Sequence, residues 1–118
     1  MKADGDELTT HLFLEGETGK EEVGYAKLRR RDDFYYFQDV YSYLRREGVA
    51  DVLITHVNAM LTKAGKIGLL KDTSGVKDMY KRRGWNEIAN HPPWMIFLPA
   101  KVSKPNGIEV DQMVKRAN

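Results

Sequence analysis

The sequence predicts an α+β domain: three helices with a C-terminal β-hairpin and a weak N-terminal hairpin. Three observations point there. Apolar residues recur at helical spacing after Asp32-Asp33, and Gly48, Gly65 and Gly84 punctuate successive helical runs. A dense apolar segment, Trp94–Leu98, is bounded by prolines and followed by a Pro-Asn-Gly turn. The chain has 118 residues, 42% hydrophobic and 31% charged, which suits one globular domain able to bury its own core.

The elements follow in order. Leu12 and Leu14 alternate with Phe13 in residues 9–14, residues 16–19 supply a turn, and residues 23–28 are a second extended run. Asp32 or Asp33 suits a helix N-cap, where a carboxylate accepts a free N–H and meets the positive end of the dipole. Phe34, Phe37, Val40, Tyr41 and Leu44 then recur at helical spacing. Gly48 ends that run behind Arg45-Arg46-Glu47, cations suited to a helix C-terminus. Residues 51–63 read as a second helix closed by Gly65, with Val49, Val52, Leu53, Val57, Met60 and Leu61 on one face; Val52-Leu53-Ile54-Thr55 is also strand material. Ile67–Leu70 suits a short strand. Thr73 or Ser74 caps a third helix through about Arg83, with Val76, Met79 and Tyr80 facing inward and Gly84 closing it. Proline cannot continue a helix, so His91-Pro92-Pro93 forces a new start and Trp94–Leu98 reads as a buried strand. Asn106-Gly107 marks a turn, and Ile108, Val110, Gln112 and Val114 alternate in a returning strand, a segment that also suits a terminal helix.

Three helices followed by a turn-linked hairpin resembles the order of winged-helix domains, and no diagnostic residue adds to that resemblance. The alternative is a small α/β sheet with helices packed on it, built from Val52–Thr55, Ile67–Leu70 and Met95–Leu98.

Charge is unevenly placed. The net charge is +2, yet residues 1–22 hold seven acids against Lys2 and Lys20, a balance of −5 that leaves +7 on residues 23–118. The expected organisation is an acidic N-terminal arm over residues 1–22, able to form part of a hairpin, and one basic globular domain over residues 23–118. No cysteine is present, which removes disulfides, thiolate nucleophiles and cysteine-ligated zinc, and a cytoplasmic setting is expected. No segment has the length or purity of a membrane span.

Catalytic signatures are sparse. His11, His56 and His91 lie far apart with no acid at metal-ligand spacing, and neither Ser42, Ser74 nor Ser103 sits in a Gly-x-Ser-x-Gly elbow. No catalytic residue, metal or cofactor is expected. Binding chemistry is better supplied. Arg29, Arg30 and Arg31 precede the aromatic run from Phe34, and Lys77, Lys81, Arg82 and Arg83 form a cationic surface beside Trp85. Cations beside π-faces suit phosphates and bases, so a non-catalytic nucleic-acid-binding protein is expected, with Trp85 or Tyr36 stacking on bases. The alternative is a protein-interaction factor, an inhibitor or assembly component, using a tyrosine and arginine surface, and a homodimer is also allowed. A metal-free ribonuclease relying on His56 or His91 is the remote third.

Overall fold

The computed structural model describes residues 2–4, 7–31, 33–43, 48–73 and 75–117. Along them run β1 (Lys2–Asp4), β2 (Glu7–Gly16), β3 (Gly19–Arg30), β4 (Phe34–Ser42), α1 (Val49–Ala64), β5 (Ile67–Lys71), α2 (Lys77–Arg82), β6 (Trp85–Glu87), β7 (Trp94–Phe97) and α3 (Gly107–Ala117). The strands form one sheet in the order β1-β2-β3-β4-β5-β7-β6. Every pairing is antiparallel except β4 with β5, which are parallel and joined through α1. A parallel pair needs such a crossover, because a tight turn reverses direction.

Helices cover both faces of the sheet. Strand side chains alternate between faces, so on β5 Leu70 joins the core under α1 and α2, whereas Ile67 and Leu69 join the core under α3. Val49, Leu53, Ile54, Val57 and Leu61 of α1 are buried against the first of these cores. Gly68 is required there. A Cβ on it would lie 2.7 Å from Leu61 Cδ1 and 2.8 Å from Trp85 Cη2, closer than packed carbon atoms approach.

The winged-helix order is overturned. The segment expected as the first helix is β4, because one extra residue disguises its period. Leu28 pairs with Phe37 and Lys27 with Asp39, so Gln38 is a bulge. Phe37 and Val40, three apart, consequently pack against the same core, and that spacing mimics a helix. Phe34 packs on the opposite face, under α3. The expected cap at Asp32 lies outside the described residues, as do Leu44, Arg45-Arg46-Glu47 and the expected cap Ser74.

The C-terminal hairpin is also absent: β7 pairs with β5 and β6, and residues 107–117 are helix α3. Asn106 is its cap. The Glu109 N–H donates to Asn106 Oδ1 at 2.9 Å, and the Asn106 N–H donates back to Glu109 Oε1 at 3.2 Å, a reciprocal capping box. Met113, Val114 and Ala117 are then the buried stripe. The alternative expectation, a small α/β sheet with helices packed on it, describes the molecule, although Val52–Thr55 belongs to α1 and not to the sheet. Residues 7–16 of the expected acidic arm form β2, paired along its length with β3.

Candidate functional site

The parallel pairing occupies only the first half of β4. Pairing of β4 with β5 runs from Phe34 with Ile67 to Phe37 with Leu70 and stops at the bulge. Beyond Gln38, β4 continues against β3 to Ser42, while β5 ends at Lys71, opposite Trp94 of β7. The end of β5 leaves a wedge beside the second half of β4, at the carboxyl end of the pair, the position at which α/β sheets bind ligands. It holds a cavity of about 50 Å³, lined among others by Gln38, Asp39, Asp72, Thr73 and Tyr80.

Tyr80 enters this wedge from α2. Its ring packs edge-on to Phe37 at 6.4 Å and to Trp85 at 6.3 Å, and the residue is 7% exposed. Burial pushes its hydroxyl up to about 12, and the charges of Asp72 and Asp39 act in the same direction. A phenol held this way keeps its proton at neutral pH. Asp72 also fixes the approach to α2, accepting the Val76 N–H at 3.1 Å.

The start of α1 stands at the same end of β4. Gly24, paired with Ser42, would place a Cβ 2.6 Å from Val49 Cγ1, so the first residue of α1 lies directly on the end of the β3–β4 pair. Gly48 adopts φ 66°, a left-handed conformation that suits glycine, and among the described residues no side chain caps the helix. A helix of 16 residues thus begins with N–H groups unclaimed by a capping side chain, an arrangement favourable to an anion.

The expected binding residues are not brought together. Arg29–Arg31 stand where β3 hands over to β4, the opposite end of the parallel pair from α2. Arg29 faces Glu7 at 3.8 Å, Arg30 is also partnered, and the Arg31 N–H donates to Phe34 O. Lys77 and Lys81 converge on Glu87 at 3.4 and 3.0 Å, and their hydrogen bonds, Lys81 first, hold its carboxyl below the usual carboxylate range. Arg83 meets Asp51 at 3.6 Å, and Arg82 is exposed. Trp85 is 1% exposed, its indole N–H donating to Asn58 Oδ1 at 2.8 Å, so its ring is core. Tyr36 packs on Trp94 at 5.6 Å. Of the histidines, His11 pairs with Glu22, His91 with Asp111 at 2.5 Å, and His56 is exposed on α1. Among the described residues no group of three or more His, Asp or Glu is placed to hold a metal ion.

No protein-family model matches the chain, and no curated protein matches it. Solved structures do. A ribosomal-protein-alanine N-acetyltransferase from Escherichia coli superimposes with a TM-score of 0.67 at 18% identity, covering 88% of this chain and 76% of that one. The chain has the N-acetyltransferase fold. The PaiA N-acetyltransferase from Thermoplasma acidophilum, solved in complex with coenzyme A, gives 0.62 at 14% identity, over 79% of this chain and 61% of that one. The anti-CRISPR protein AcrVA5 gives 0.59 at 16% identity, with 77% of this chain covering 97% of that one.

These likenesses overturn the expectation of a non-catalytic nucleic-acid-binding protein and of nucleic acid as favoured partner, since the shared architecture is that of acetyltransferases. Sequence reasoning missed Gln38, Asp39 and Tyr80 as site residues. The available signal was Gly48. Read as the start of a helix instead of its end, Gly48 places a helix N-terminus at the carboxyl end of β4.

Proposed function

We propose that this protein transfers an acetyl group from acetyl-coenzyme A to an amine, with the β4–β5 wedge holding the thioester end. The observation that carries the reading is the end of β4–β5 pairing at the Gln38 bulge, beside the protonated Tyr80 hydroxyl. The residues fit the group: the backbone of β4 beyond Gln38 makes no ladder with β5 and can bond an extended amide chain. The uncapped start of α1 suits the phosphates of coenzyme A. This replaces the sequence expectation of no cofactor.

Bound acetyl-coenzyme A supplies an acetyl group already activated as a thioester, whose C–S bond breaks as the N–C bond to the amine forms. The Tyr80 hydroxyl, which burial keeps protonated, would donate a hydrogen bond to the departing sulfur and stabilise it as it leaves. Asp39, at the edge of the wedge, attracts the acceptor as an ammonium and receives the proton it sheds. A cytoplasmic setting accords with a cysteine-free chain that uses coenzyme A. Among the described residues no helix is long and apolar enough to cross a membrane.

Calorimetric titration of coenzyme A into the full chain tests the reading, together with thiol release from acetyl-coenzyme A in a mixed pool of primary amines. Saturable one-site binding and amine-dependent thiol release are expected. Absence of both would remove the proposal.

A further inference from the structure

Helix α3 covers only part of its face of the sheet. Its buried stripe lies over β5, β7 and the start of β4, in the core of Phe34, Ile67, Leu69 and Ile96. Past the bulge, the same face of β3 and β4 presents three tyrosines instead. Tyr25 and Tyr41 are cross-strand partners with stacked rings 5.7 Å apart, and Tyr43 stands edge-on to Tyr41 at 5.1 Å and 6.3 Å from Tyr25. Tyr41 is 50% and Tyr43 49% exposed, more than a sheet residue with a packing role requires.

Each end of this cluster carries a carboxylate. The Tyr25 hydroxyl donates to Asp39 at 3.3 Å and the Tyr43 hydroxyl to Glu22 at 3.4 Å; Glu22 is also paired with His11. Aromatic faces ringed by carboxylates attract cations, through the ring quadrupole and through charge together. The molecule already uses this property: Lys27 Nζ lies 5.7 Å from the centre of the Tyr25 ring. Asp39 connects the cluster to the wedge, because it both accepts from Tyr25 and lines the cavity that Tyr80 lines.

We propose that this tyrosine face is the acceptor-docking surface and that its occupant is a lysine-bearing segment of a peptide or protein, its ammonium led across Tyr43 and Tyr41 to Asp39. The proposal rests on the acetyl-transfer reading. It names Tyr41 and Tyr43 as specificity-determining residues of a site whose reacting end is the wedge.

The experiment follows the tyrosine ring resonances of the full chain by NMR during titration with blocked tetralysine, with tetraglutamate as control and coenzyme A titrated separately. Tetralysine should shift the rings of Tyr41 and Tyr43 and move its own ε-methylene protons upfield, while tetraglutamate does neither. Tyr41→Ala and Tyr43→Ala should each weaken tetralysine roughly three- to ten-fold, and Tyr43→Phe, which keeps the ring, by less than about two-fold. Tetralysine binding that ignores both alanine variants, equal binding of tetraglutamate, or ring shifts that track dilution of the protein alone would overturn the proposal, the last assigning the face to a second copy. If coenzyme A binds and tetralysine leaves the rings unmoved, the acceptor surface falls while the wedge reading stands. If tetralysine binds as expected and coenzyme A does not, the surface stands and acetyl transfer falls.

Discussion

In the proposed acetyl transfer the hydroxyl of Tyr80 carries the chemistry. Its ring belongs to the core with Phe37 and Trp85, and its oxygen reaches the wedge where Asp39 and Asp72 disfavour a phenolate. Replacing it with phenylalanine removes the proton and keeps the packing. Acetyl transfer by Tyr80→Phe should fall on the order of 10²-fold or more, measured by thiol release, with coenzyme A affinity unchanged by calorimetry. The same hydroxyl predicts a dependence on alkaline pH. A folded-state value near 12 against 10.0 for a free tyrosine means that the unfolded chain ionises first. The contribution is intact below pH 10 and is lost as pH rises toward 12, by on the order of 2–3 kcal/mol. Urea titrations between pH 9 and pH 12, roughly the window those values bracket, should show the decline in the native chain and a shallower one in Tyr80→Phe. Trp85 illustrates the converse at this scale: beside four cations in sequence it reads as a stacking group, whereas its N–H bonded to Asn58 makes it a fixed part of the core.

At the scale of elements, β4 decides both the fold and the site. Its bulge at Gln38 gives Phe37 and Val40 a helix-like spacing, and the same bulge ends the pairing with β5 and opens the wedge. Period alone could not separate the two readings, because a strand with one extra residue and core on both faces loses its alternation. Composition could have done so, since Phe-Tyr-Tyr-Phe and Val-Tyr are residues that favour strands. The helix over residues 51–63, the strand at Ile67–Leu70 and the strand from Trp94 were legible because each has a period or bounding residues that agree with its burial. Asn106-Gly107 reads in sequence as a hairpin turn and is instead the cap of α3; the residue that distinguishes the two is Glu109, three positions on from Asn106. Asn106→Ala should therefore destabilise the fold by about 1 kcal/mol in urea titration, with Asn106→Asp close to native. An unchanged Asn106→Ala would mean that α3 is held by its buried stripe alone.

For the whole molecule, cations that cluster in the sequence find acidic partners within the structure. Glu87 answers Lys77 and Lys81, Asp51 answers Arg83, and Glu7 answers Arg29, so clusters that look cationic in sequence are partnered across elements. Such pairs join residues distant in the chain, and no linear pattern reveals them. The candidate site was hidden for the same reason: Asp39, Asp72 and Tyr80 meet only once β4, β5 and α2 share one sheet end. A ligand that binds only the folded chain should stabilise it, and coenzyme A at about 100 times its dissociation constant should add roughly 2.7 kcal/mol, seen as a rise in Tm of several degrees. The most direct measurement is the amide NMR spectrum of the full chain titrated with coenzyme A. Resonances of Gln38–Ser42, of Gly48–Asp51 at the start of α1, and of Lys71–Thr73 should shift together and saturate together. Shifts confined to the cavities of about 400 and 430 Å³ beside Glu87–Asn90, or no shift at all, would contradict the β4–β5 wedge as the coenzyme A site.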